Sequence, residues 1–207
     1  IEDMSDLDLL SDAGSSQGGS HNDLSLNTDD DDDDGDGIPN DWDESPNDSS
    51  WPGSAFPDTV YAHTDDALFA LDVKALVLTQ VADFSFDVEG IHRITDIAID
   101  RVGVLWAISF NTLWLCHPQT GVCRKKGSLP FTNFNGLTFI PGSHFNESRD
   151  VLIAIDNFGS WRRLDFLRDI LVDELVGIYP NERSSGDAFS IEGIGTFASV
   201  KRDGVNS

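Results

Sequence analysis

The chain has 207 residues, with 37 acidic and 13 basic side chains and a formal net charge of −24. That balance argues against nucleic acid or anionic membranes as partners, since both are gripped through clustered positive charge. No apolar run approaches the roughly 20 residues needed to cross a bilayer. The charge is also lopsided: residues 1–50 hold seventeen Asp and Glu and no Lys or Arg, while 51–207 set twenty acids against thirteen bases. Three regions follow from this: a polar arm over 1–28, an acidic segment over 29–50, and a mixed-charge domain over 51–207.

The arm over 1–28 has few apolar anchors, Met4, Leu7, Leu9 and Leu10 among them. It buries too little to offset its own chain entropy. It is expected to gain order from a partner, laid as an extended strand on a neighbouring subunit.

The segment over 29–50 opens with six consecutive aspartates, Asp29 to Asp34, and carries the strongest chemical signal of the chain. Over 32–43 it reads Asp-Asp-Asp-Gly-Asp-Gly-Ile-Pro-Asn-Asp-Trp-Asp. This places Asp32, Asp34 and Asp36 at positions 1, 3 and 5 of a twelve-residue loop and Gly37 at the sharp turn of position 6. Ile38 would offer its carbonyl at position 7, Asn40 a ligand direct or through water at position 9, and Asp43 the closing carboxylate at position 12. Ca²⁺ takes six to eight oxygens at about 2.3–2.6 Å, which such a loop supplies. A second register through Asp30, Asp32, Asp34 and Asp41 exists, but it misplaces Gly37 and Ile38. The competing reading is a solvated acidic tail, the usual fate of like-charge blocks. With Asp rather than Glu at position 12, the loop resembles the calcium loops of dockerins and thrombospondin type 3 repeats. That resemblance implies Ca²⁺ as cofactor and an extracellular setting.

Two N-x-S/T sequons, at Asn47 and Asn146, are candidate glycosylation acceptors. Cys116 and Cys123 bracket the turn formers Pro118 to Gly121. A hairpin there sets His117 against Val122 and Cys116 against Cys123, close enough for a disulfide. A disulfide implies an oxidising compartment, hence a secreted or cell-surface protein.

From residue 58 onward, short runs rich in Val, Ile, Leu, Phe and Trp alternate with Gly, Asn, Asp and Pro. Strands are predicted at 59–63, 68–72, 94–99, 105–110, 113–116, 122–125, 137–140, 151–155 and 161–164. Residues 164–176 carry a helix-compatible spacing, but the repetitive surroundings favour strands. Leu68–Val73 aligns with Leu113–Pro118, and more loosely with Trp161–Phe166. Thr95–Ile99 aligns with Asn135–Phe139, and Glu192–Gly195 reads as another unit start. Units of about 40–45 residues built of short strands suggest propeller blades. The run TDIAID…VLWAIS…TLWLCHPQTGVC…GSLP resembles bacterial β-propeller repeats over roughly 58–200. The expected fold is therefore all-β, with propeller-like repeats forming an incomplete ring of about three units, or alternatively a β-sandwich.

No nucleophile elbow, HExxH or glycine-rich phosphate loop occurs, and the five histidines lack metal-ligand spacing. Asp96, Asp100, Asp156 and Glu192 sit near strand ends, where turn formation explains them. Trp51, Trp106, Trp114 and Trp161 are of the type that lines carbohydrate sites, but at strand positions they are expected in the core. The sequence thus points to a non-enzymatic, calcium-stabilised extracellular protein with a structural or adhesive role. It would be a homo-oligomer or fibre subunit joined through its arm and open sheet edges, with glycans as further candidate partners. The alternative is a propeller-type ligand-binding module or enzyme fragment whose other blades lie elsewhere.

Overall fold

The computed structural model describes residues 32–129, 133–167 and 170–202, the side chains of 166, 167, 170–173 and 202 excepted. The arm over 1–28 and the alternative ligand Asp30 lie outside the described residues. What is described is all-β, with a single turn of 3-10 helix at Gly142–Phe145.

Sheet I joins β1 (Val60–His63), β2 (Ala67–Asp72) and β3 (Val77–Asp83). Sheet II runs in the order β4-β8-β7-β6-β5, from β4 (Ser85–Phe86), β5 (Asp96–Ile99), β6 (Leu105–Ser109), β7 (Thr112–Cys116) and β8 (Val122–Ser128). Sheet III is the meander β9 (Phe134–Ile140), β10 (Val151–Asp156), β11 (Ser160–Leu167) and β12 (Ile170–Ile178). Sheet IV pairs β13 (Glu182–Ile191) with β14 (Gly195–Arg202). Neighbours are antiparallel except β4, which adds to the outer edge of β8 in parallel, Ser85 opposite Val122. Among the described residues, no sheet closes into a barrel.

Local chemistry explains where the strands end. Asp100 accepts the N–H groups of Val102 and Val104, and Gly103 behind it takes φ +93°. Asp156 repeats the device, accepting from Phe158 and Ser160, with Gly159 at φ +84°. A carboxylate capping a tight turn whose fourth residue needs a left-handed backbone is what Asp-x-x-Gly supplies cheaply. These two aspartates are turn formers, as their positions suggested.

The sheets stack face to face, and strand alternation divides each between two core layers. Leu105, Ala107, Trp114 and the cysteines face Leu68 and Phe84 of the sheet I side. Trp106, Ile108, Leu113 and Leu115 point the other way, into a core shared with Leu137, Leu152, Ala154 and Leu164 of sheet III. Ile153 and Ile155 then meet Ala188 and Ala198 of sheet IV. Because both faces of β6, β7 and β10 are covered, each is buried throughout and reads as an unbroken apolar run. Counting sheet II from β5, since β4 is a parallel addition at its far edge, the first strands of the antiparallel units lie side by side, β1 on β5, β5 on β9 and β9 on β13.

Residues 164–167 and 170–176 are strand, within β11 and β12, as their repetitive surroundings favoured. Other sequence expectations change. Four sheets stand where about three units were expected. Thr95–Ile99 and Asn135–Phe139 do occupy equivalent first strands. Leu68–Val73 lies in a second strand, however, whereas Leu113–Pro118 and Trp161–Phe166 lie in third strands. The 45-residue offset thus matched composition rather than topology. Glu192–Gly195 starts no unit: it forms the β13–β14 turn, where the Ile194 N–H donates to the Ile191 carbonyl.

Candidate metal centre

The acidic loop is folded, and its own backbone organises it. Asp32 accepts from the N–H groups of Gly35 and Gly37, at 2.8 and 3.0 Å. Asp34 accepts from Asp36, and Asp36 from Ile38 at 2.7 Å. Asn40 closes the loop by accepting from the Asp33 N–H at 3.0 Å, and Asp43 accepts from Ser45. Gly35 and Gly37 take φ +76° and +90°, a backbone that only glycine adopts without strain.

Asp34, Asp36 and Asp43 each spend one oxygen on these turns, Asp32 accepts through both of its own, and the carboxylates converge. One ligand atom each from Asp32, Asp34 and Asp36 lies within 4.8 Å of the others. The Oδ2 atoms of Asp34, Asp36 and Asp43 are buried with no hydrogen-bond partner. Such orphans cost free energy unless something positive meets them. Burial, reinforced by repulsion from Asp43, Asp34 and Asp32, raises Asp36 to about 6. Asp43 is raised as well, first by burial and then by Asp34 and Asp32. The donor set is all oxygen, which suits a hard divalent cation such as Ca²⁺. Asp41, the closing residue of the alternative register, instead points outward, 88 % exposed and 3.4 Å from Arg149.

The loop is fastened to the domain rather than appended to it. Ile38 is 0 % exposed and belongs to the core between sheets II and III, against which Trp42 also packs. Trp51 is buried in the same core, with the Arg124 guanidinium 4.0 Å from its ring centre. Lys126 of β8 pairs with Glu44, and Arg149 before β10 pairs with Asp41. The loop therefore touches both sheets of the central joint. None of these tethers was legible as such in the sequence. Trp51 was expected in the core, but partners separated by tens of residues leave no local signal.

The other sequence-derived residues lie apart from this centre. Cys116 and Cys123 are joined, Cα atoms 4.1 Å apart and both sulfurs buried, opposite each other as the hairpin spacing implied. Asn47 and Asn146 are both exposed, in separate loops. Trp106 and Trp114 are core, and Trp161 is half-buried. Among the described residues, no helix is long and apolar enough to cross a membrane.

His63 of β1 lies 3.7 Å from Asp96 of β5, whose Oδ2 accepts the Leu137 N–H of β9 at 2.6 Å. Burial raises Asp96, while His63 is depressed by burial but raised on balance by Asp96 and the Thr64 carbonyl. The group pins three first strands together. Beside the acidic loop, a cleft of about 350 Å³ is lined by Trp42, Asp43, Asp100, Trp106, Glu147 and Arg163, among others. Burial lifts Asp100 there to about 6.

No family model matches the chain, and no curated protein matches it.

Proposed function

We propose that the chain is a calcium-stabilised extracellular structural or adhesive module, working as a subunit of a surface assembly. The observation that carries this reading is the set of orphaned, buried carboxylate oxygens of Asp34, Asp36 and Asp43. They belong to a loop whose Ile38 is embedded in the joint between two sheets. In this reading Ca²⁺ is held by Asp32, Asp34, Asp36, the Ile38 carbonyl, Asn40 and Asp43. It neutralises carboxylates that otherwise repel one another, and so locks sheets II and III in register. Such coupling makes metal-binding free energy part of folding free energy. The Cys116–Cys123 disulfide fits an oxidising, extracellular setting, where millimolar calcium matches the weak affinities of extracellular modules.

The stacked meanders, with first strands side by side, support a propeller-like sector rather than a closed ring. A second reading, a ligand-binding module, is favoured by the 350 Å³ cleft lined by Trp42, Trp106 and several carboxylates, Asp43, Asp100 and Glu147 among them. Sedimentation and thermal unfolding in millimolar calcium, repeated after chelation, test the first reading. A large, reversible drop in melting temperature on chelation is expected, abolished in Asp34→Asn/Asp36→Asn. An unchanged melting curve overturns it.

A further inference from the structure

The two ends of the sheet stack are unfinished in complementary ways. Each sheet has one face toward its predecessor and one toward its successor. The three internal joints all pack a successor face on a predecessor face: Leu68 against Leu105, Ala107 and Trp114; Trp106 and Ile108 with Leu152 and Ala154; Ile153 and Ile155 with Ala188 and Ala198. Sheet I has no predecessor and sheet IV no successor among the described residues.

Their free faces are apolar nonetheless. In sheet I, Leu68 and Tyr61 point inward, so alternation turns Phe69 and Leu71 outward, together with Val60 and Leu78, the cross-strand partners of Leu71. Val60 is 49 % and Leu78 54 % exposed. In sheet IV, Ala188 and Ala198 point inward, so Phe189, Phe197 and Ile191 face out. The two phenylalanines stack at 5.3 Å, at 52 % and 46 % exposure. The pair stabilises its own hairpin, and with Ile191 beside it makes a contiguous exposed apolar patch of the kind that marks an interaction surface.

We infer that the sheet IV face of one copy docks on the sheet I face of a second copy, continuing the stack head to tail. The occupant is a second copy because the missing face at each end is of the kind the other end offers, and the internal joints show the packing it repeats. Such a contact is heterologous: it generates a ring when the rotation closes and a filament when it does not. The inference rests on the subunit reading above and gives it a joint. That joint lies at the stack ends, away from the acidic loop at the central II–III joint.

The test uses the full chain and two polar, charge-neutral variants, Val60→Gln/Leu78→Gln and Phe189→Gln/Phe197→Gln. Near-ultraviolet circular dichroism from the buried Trp114 reports that each remains folded. Analytical ultracentrifugation in calcium should show the parent chain assembling, and each variant alone remaining monomeric or at least tenfold weaker in self-association. A mixture of the two variants restores a one-to-one complex, because one intact face of each kind remains. A parent chain that stays monomeric at high concentration overturns the inference, as would be seen if another protein covers these faces. So does a single variant that still dimerises, which means like faces pair, or a mixture that forms no complex. Calcium uptake is read separately by thermal shift. A chain that is stabilised by calcium yet monomeric sinks this joint and leaves the calcium reading standing. A chain that assembles but ignores calcium does the opposite.

Discussion

Replacing Ile38 by Ala tests whether the acidic loop and the β-stack are one cooperative structure. Ile38 is completely buried in the II–III core, and its own N–H donates to Asp36. The substitution removes three carbons from a site walled by rigid strands. At about 0.8 kcal/mol per buried methylene, the transfer loss alone is roughly 2.4 kcal/mol. An incompletely collapsed cavity brings the total to about 3–4 kcal/mol, within the ~2–5 kcal/mol seen for such truncations. For a domain of this size each kcal/mol moves the melting temperature by about 2–4 °C, so a drop on the order of 10 °C is expected. The substitution also unfastens the metal ligands. Calcium must then order the loop at its own expense, and its affinity should fall at least ~10-fold, or about 1.4 kcal/mol. Differential scanning calorimetry with and without saturating calcium reads both quantities, with Ile38→Val as a mild control at about 0.5–1.5 kcal/mol. A loss below ~1 kcal/mol, or a full loss with unchanged calcium affinity, would show that the loop is an independent appendage and refute the coupling.

The same centre has a defined pH response. With Asp36 at about 6 and Asp43 raised, the metal-free fold is favoured by protonation, so this contribution is present below the unfolded carboxylate range and lost as pH rises through about 6. Calcium needs the ionised forms, so its thermal shift should be large near about pH 7.5 and small near about pH 5; an equal shift at both refutes the ligand assignment. Asp96→Ala strands the buried Leu137 N–H and should cost about 1–3 kcal/mol in urea unfolding, whereas Asp96→Asn keeps an acceptor and costs less. Cys116→Ala/Cys123→Ala opens a loop with a sequence separation of 7 and should cost about 2–2.5 kcal/mol on the loop-entropy estimate. With both sulfurs buried, reductant should leave the folded chain's disulfide intact, as mass spectrometry after thiol alkylation would report.

The sequence was most legible where a pattern is local. Strands such as Leu113–Cys116 and Val151–Ile155 stood out because they are apolar on both faces and lie between turn formers, Asn111 and Pro118 for the first, Asp150 and Asp156 for the second. The hairpin pairing of Cys116 with Cys123 followed from six intervening residues with turn formers at their centre. β3 was missed because Val77–Asp83 is largely exposed and mixes Thr, Gln and Asp among its apolar residues. β13 and β14 were hidden by Ser, Gly and Lys, since a two-stranded sheet at the end of a stack needs few inward side chains. Counting units failed because insertions between strands vary, so the closest matching segments were not topological equivalents. For the acidic loop, the spacing named the ligand candidates. That the loop is bolted to the central joint by Ile38, Trp51, Lys126 and Arg149 emerges only when distant residues are brought together.

The placement of β4 limits how this protein can be taken apart. Ser85 and Phe86 follow sheet I directly in the chain, yet they hydrogen-bond along the outer edge of sheet II, and Gly121 at the β7–β8 turn approaches the Asp83 backbone so closely that a methyl group there would sit 2.4 Å from its carbonyl oxygen. Sheet I has lent a strand to its neighbour. Sheets I and II therefore cannot be parted without breaking a strand pairing, and sheet II is bound in turn to sheet III through their shared core. A gene duplication or an engineered cut that treated one sheet as the module would sever an edge on one side and leave an orphan ribbon on the other.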